Sequence, residues 1–438
     1  MADKGMTLAI VLLVAGLVVG GGIGYFAAPA KQVVSSTVVE KVTTALPLKG
    51  VTVKIGYIAS DTTGLETGKP SHEQIWAPDF NKYSALLGYG TTFTYMIDDA
   101  QGQANTHLEK VQGFKSAGIT VFEGGGWSSQ AQSALSYVNT NGMLMWSSSS
   151  TSPTLAIAND RLYRMCPADT ALAPALADIM WQFGIKESAI FQRGDSWGDG
   201  IVNLFIPAFT AKGGKITGDK VRYAAEATEF TNYLQQADAQ IKAALGRQNN
   251  NNLKVGMVIL SFNEAPVICK QASQFSSVYN VHWFGSDGTA LSQRIMDDSP
   301  DEANHIGIYS MLSHQTPSTK FDSLAKRYVD LVKQQFTTYT AYSYDIGTVI
   351  TNTMLEAQSQ KGDDIVALQS PMSLNTFGAG GWSKLNEFGD RFPPPFDVWG
   401  FFKGDTKPSV SKVVATYDND YKLASWDATM LGYKPLGP

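Results

Sequence analysis

Cysteine is almost absent: Cys166 and Cys269 are the two in 438 residues. Two such distant residues make neither a disulfide framework nor a metal-binding spacing. They leave a single bridge or two buried thiols as readings. Charge is also sparse. Charged residues are 17% of the chain, the formal net charge is −5, and there is no basic run. That balance argues against nucleic acid as a partner. The five histidines (His72, His107, His282, His305 and His314) are scattered, with no grouping that resembles metal ligands. There is no Gly-x-Ser-x-Gly elbow, no His-Glu-x-x-His and no phosphate loop. Neither a metal nor a cofactor is expected, and catalysis is the least favoured reading.

Apolar residue types make up 44% of the chain, enough for a sizeable core, and the length suits two or three domains. Residues 7 to 28 form an uninterrupted apolar run of 22 residues, with Asp3 and Lys4 the only charges before it. At about 1.5 Å per residue it would cross a hydrocarbon layer about 30 Å thick. It is longer than the about 7–15 residues of a secretory signal's apolar region, although Ala28-Pro29-Ala30 fits a cleavage site. The length favours an uncleaved membrane anchor over residues 1–30, with the globular part outside the cell. Residues 31–50, rich in Val, Thr and Ser, read as an extended stalk.

The chain is organised around residues 122–153, FEGGGWSSQAQSALSYVNTNGMLMWSSSSTSP. A short strand (119–123) enters the triplet Gly124–Gly126, then Trp127 and two serines. A helical pattern follows, then a second strand (143–146) that ends in five hydroxyl residues, Ser147 to Thr151. In a parallel α/β sheet such loops share the carboxyl edge, where open sheets bind ligands. Glycine lets backbone approach closely, and hydroxyls with helix-start N–H groups suit an anion.

The flanking segments alternate strand and helix. Strands are expected at 51–58 and 91–97, and the turn-rich stretch 59–70 reads as a loop before a helix over 71–87. After Arg161-Leu-Tyr-Arg-Met-Cys-Pro the pattern restarts, with strands at 188–192, 255–261 and 281–284 and helices at 170–183, 197–212, 231–245 and 264–276. Helices near 320–335 and 344–360 precede a proline-rich turn and a β-rich end. This order implies two doubly wound parallel-sheet lobes.

With VKIGYIASDTTG, the glycine–serine stretch, RGDSWGDG, WFGSDG and AYSYDIG in this order, the chain resembles the type I solute-binding proteins of ABC importers, in the branched-chain amino acid and amide group. The resemblance covers Val51 to about Asp405. It implies two lobes joined by three crossovers, near Pro167–Asp169, Ser310 and Trp399. The lobes would comprise 51–168 with about 311–398, and 169–310 with about 399–438. Carried over by position, Ser128, Ser150 and Thr151 would hold a ligand carboxylate or carbonyl, and Asp169 and Asp287 would accept from its ammonium or amide. Trp197 would cover the ligand, with Phe262 at a neighbouring strand end. Trp127 is bulkier than the pattern, and a serine run replaces the usual proline and glycine before Ser150. The resemblance implies ABC permease subunits as partners. An anchored sensor ectodomain is the alternative, and an extracellular amide hydrolase ranks third.

Overall fold

The computed structural model describes residues 46–405 and 407–431. The expected anchor, and all of the expected stalk up to residue 45, lie outside the described residues. Among the described residues no helix is long and apolar enough to cross a membrane.

Five parallel strands make the first sheet: β1 (Thr52–Ala59), β2 (Thr92–Asp99), β3 (Val121–Glu123), β4 (Leu144–Ser147) and β5 (Leu162–Arg164), in the order β2-β1-β3-β4-β5. The short inner strands β3 and β4 are buried on every residue, as expected for a sheet covered on both faces. The second sheet contains β6 (Glu187–Gly194), β7 (Lys215–Ile216), β8 (Val221–Ala224), β9 (Val255–Leu260), β10 (His282–Gly285) and β11 (Ile308–Ser313), all pairing in parallel. A small hairpin, β12 (Phe377–Gly378) and β13 (Gly381–Trp382), stands apart. The closing strands β14 (Phe396–Lys403), β15 (Ser409–Asp418) and β16 (Leu423–Trp426) then extend the second sheet beyond β11, now antiparallel.

The chain passes between the sheets more than once. The helices Thr319–Val332 and Thr338–Ala357 follow β11 but pack with Val53, Ile55 and Phe93 of the first sheet. Ser310 and Trp399 are register partners in the second sheet. Each half therefore draws on distant parts of the chain.

One expectation fails locally. The stretch 59–70 is not a loop: a helix runs from Thr62 to Ser71 with Pro70 inside it. Asp61 caps it, accepting from the Gly64 N–H at 2.7 Å, so its glycines and proline sit in a helix nucleated by an aspartate. Pro70 has no N–H to give the ladder, and the next turn, His72–Trp76, widens into a π-helix before Ala77–Leu86 resumes. Of the two readings of the cysteines, the structure shows two buried thiols. The two thiols lie in different cores, one under each sheet, and both are free and buried. Burial pushes the Cys269 thiol up to about 12, with Ser299 opposing the shift.

Candidate ligand-binding site

The glycine loop after β3 is shaped by a histidine. Gly125 has φ +60°, and a Cβ there would lie 2.8 Å from the Ala131 Cα. Its N–H donates to His107 Nε2 at 2.7 Å. Burial lowers the His107 pKa to about 3, so the ring stays a neutral acceptor. The loop then delivers Trp127 and the helix Ser128–Thr140.

The serine run after β4 is tied down from two sides. Ser147 Oγ donates to the Gly125 carbonyl at 3.0 Å, and Ser149 Oγ donates to the Gly126 carbonyl at 2.9 Å. Beneath it Arg164, with no exposed surface, donates to the carbonyls of Ser150 and Ser152, both at 2.8 Å. Its other face makes a bidentate pair with Asp390, at 2.5 and 2.7 Å. The serine-rich segment is therefore a fixed part of the protein interior.

From the second sheet, Asp195 opens the helix Ser196–Ala211 by accepting from the N–H groups of Trp197 and Gly198, at 3.1 and 2.9 Å. This fixes Trp197 at the first turn. Phe262 follows β9 and Asp287 follows β10. Trp127 of the first half stacks on Phe262 at 4.9 Å, and Phe262 stacks on Trp197 at 4.3 Å. Arg193 lies 5.2 Å from the Trp127 and Phe262 rings. Ser152 Oγ donates to the Ser196 carbonyl at 2.9 Å, and the Asn263 amide donates to the Asp61 carboxylate. The two halves thus touch across the cleft.

Ser128, Trp197, Phe262 and Asp287 line one hollow of about 90 Å³, together with Gly126, Trp127 and Ser149. Ser150, Thr151 and Asp169 do not line it; they follow from its edge at Ser149 and lie near Asp287. The Asp169 N–H donates to the Thr151 carbonyl at 2.8 Å, and the charge of Asp287 reaches the Asp169 carboxyl. Ser128 Oγ accepts from the Ser152 N–H at 3.1 Å, so it braces the loop as well as facing the hollow. Sequence reasoning passed over Ser149 and Tyr339. Tyr339 donates its hydroxyl to Asp287 Oδ2 at 2.8 Å. It arrives from a helix more than fifty residues further along, and no local pattern marks it.

The polar atoms of this wall are largely unmatched. Among the described residues, Ser150 Oγ, Thr151 Oγ1, both Asp169 carboxylate oxygens, Trp197 Nε1 and Asp287 Oδ1 are buried without a hydrogen-bond partner of normal geometry. The large majority of buried side-chain polar atoms are paired in folded proteins, and each unpaired one costs about 1–3 kcal/mol. Both acids respond. Burial above all, then the charge of Asp287, holds the Asp169 carboxyl well above the ordinary value of 3.8, against Thr151 and Arg164. Burial raises Asp287 as well, opposed by the hydroxyls of Tyr339 and Ser286. Among the described residues no group of His, Cys, Asp and Glu is placed to hold a metal ion.

Two α/β halves with a polar hollow between them define the type I periplasmic-binding-protein fold. Residues 77–402 match the receptor family ligand binding region, and the chain belongs to that family. It is 24% identical over 408 residues to an uncharacterized protein of Methanocaldococcus jannaschii, covering 88% of this chain and 94% of the relative. Among solved structures it resembles the leucine-binding protein LivK of Thermotoga maritima, with a TM-score of 0.67 and 16% identity over 84% of this chain and 99% of the other. The LivJ protein of Streptococcus pneumoniae, in complex with isoleucine, gives 0.64 and 16%, over 83% and 99%. An ABC-transporter solute-binding protein of Rhodopseudomonas palustris, in complex with 3,4-dihydroxybenzoic acid, gives 0.65 and 15%, over 84% and 98%. These neighbours are binding proteins, not enzymes. At such identities the likeness establishes the fold.

Proposed function

We propose that this chain is the extracytoplasmic, membrane-anchored solute-binding component of an ABC importer, capturing an amino acid or small amide between two closing halves. The observation that carries this reading is the concentration of unpaired buried polar atoms on Ser150, Thr151, Asp169, Trp197 and Asp287. A ligand ammonium or amide N–H meets the two acids, while its carboxylate or carbonyl meets the hydroxyls of Ser128, Ser150 and Thr151. A buried zwitterion needs partners for both charges, because an unpaired buried ion costs several kcal/mol. Four to six charge-assisted hydrogen bonds, each worth about 1.5–3 kcal/mol, support micromolar or tighter binding after the cost of association.

The hollow of about 90 Å³ also limits the guest. It is smaller than the cavities of about 150 Å³ that accept benzene, so it suits a compact polar head group. Trp127, Phe262 and Trp197 roof it, and hinge movement of the halves would admit the guest.

Mass spectrometry of small molecules released from freshly purified, denatured protein tests the ligand class. An amino acid or amide is expected, and a purely apolar compound would contradict the reading. A second reading, an anchored sensor ectodomain, draws support from the receptor family to which the chain belongs. Affinity capture from detergent-solubilised membranes separates the two: permease and ATPase subunits favour import, and a signalling kinase favours sensing.

A further inference from the structure

A second hollow, of about 170 Å³, lies in the first half of the molecule beside the cleft. Ser148, which helps to line it, precedes Ser149 of the smaller hollow. Tyr339 lines it too, and donates to Asp287 on the other side. It is therefore next to the wall that would hold a ligand's head group, and it can take a group about the size of benzene.

Its floor is a carboxylate. Glu123 ends β3, is 5% exposed, and lines this hollow. The described contacts of its carboxylate all fall on Oε2: Ser343 Oγ donates to it at 3.0 Å, and His72 Nε2 stands 3.4 Å away. The ring's other nitrogen, His72 Nδ1, lies 2.7 Å from the Gly68 carbonyl. A carbonyl only accepts, so Nδ1 carries a ring proton, and Nε2 faces Glu123. At 3.4 Å the two are beyond the usual hydrogen-bond range. Both contacts fall on one oxygen, and Glu123 Oε1 takes no hydrogen bond among the described contacts.

The geometry around these acceptors is rigid. The π-helical turn His72–Trp76 places His72 under the Tyr57 ring, at 3.8 Å between centroids, and lets Trp76 Nε1 donate to Ser343 Oγ at 3.3 Å. Such turns are frequent at functional sites. Tyr57 and Tyr328 also line the hollow, and among the described residues no lysine or arginine does. Burial, then the charge of Glu123, holds the Tyr57 phenol far above its ordinary value, so it stays neutral. A carboxylate with one oxygen uncommitted, set among aromatic walls, suits an ammonium group.

We propose that Glu123 anchors the side-chain subsite of the cleft, and that the preferred guest is an amino acid whose aliphatic side chain ends in a primary ammonium. This rests on the reading of the cleft as an amino-acid site and adds the class of side chain.

Calorimetry on the full chain in detergent, with L-lysine and L-norleucine as probes, tests it without any variant, since the two differ by the terminal ammonium. One charge-assisted contact predicts that lysine binds about 10- to 100-fold more tightly. In Glu123→Gln that ratio should fall close to one while norleucine affinity holds. If that variant fails to fold, Thr340→Met narrows the same hollow from the helix Thr338–Ala357 and should abolish lysine binding. Norleucine or leucine binding as tightly as lysine overturns the assignment and leaves the cleft reading standing. So does lysine binding that is indifferent to Glu123→Gln or Thr340→Met. Absence of binding by every amino acid removes both.

Discussion

Arg164 holds the ligand wall without entering it. Its guanidinium is buried, neutralised by Asp390 and spent on two carbonyls of the serine segment. Arg164→Met should leave Asp390 buried without a counter-charge, at a cost of about 3–5 kcal/mol. Chemical denaturation should show that loss, and an unchanged midpoint would contradict the role. The acid pair makes a second prediction at this scale. Both carboxyls are raised, so the stability they contribute to the ligand-free protein is fully present below the ordinary 3.8 and is lost as pH rises through their folded-state values. Binding of an ammonium runs the opposite way, because it needs the carboxylates ionised. Affinity should therefore fall as pH is lowered toward 3.8, with protons released on binding at intermediate pH. Titration in buffers of differing ionisation enthalpy measures that release. Asp160 and Asp345, each raised to about 6, add to the stability profile in the same window, so the affinity is the cleaner readout.

At the level of elements, the loops at the strand ends are built by partners from elsewhere in the chain. The glycine loop depends on Gly125, whose φ of +60° and crowding against Ala131 leave no room for a side chain. Gly125→Ala should destabilise the protein by more than the about 1 kcal/mol typical of a forgiving glycine site. His107→Ala should add a lesion of its own by leaving the Gly125 N–H unpaired. Thermal melts of the two single variants check both, and melting temperatures equal to the parent's would refute the loop's dependence on them. The strand–helix order was legible because buried parallel strands read as apolar runs, as at Val255–Leu260. The helix expected over 197–212 was likewise legible, and the structure starts it at Ser196 with Asp195 of RGDSWGDG as its cap. The helix Thr62–Ser71 was hidden because glycine and proline favour turns, and only tertiary packing and the Asp61 cap override them. AYSYDIG had another meaning in the structure: Asp345 accepts from the N–H groups of Ala379 and Gly380, at 2.7 and 2.8 Å, and holds the turn between β12 and β13.

For the whole molecule, the cleft is where residues far apart in sequence converge: Trp127 and Ser149 from one half, Trp197, Phe262 and Asp287 from the other. The resemblance pointed to most of these by position. It could not supply Tyr339 or the stacked rings of Trp127 and Phe262, which depend on how closely the halves approach. The account's central claim is that the unpaired acids and hydroxyls between the halves hold a small polar guest. Isothermal titration of the purified chain with amino acids, small amides and urea, repeated on Asp287→Ala, tests that claim most directly. Saturable binding by a member of this panel, weakened about 10- to 100-fold in the variant, is the predicted result. Equal affinity in both proteins, or no binding by any of them, would contradict it.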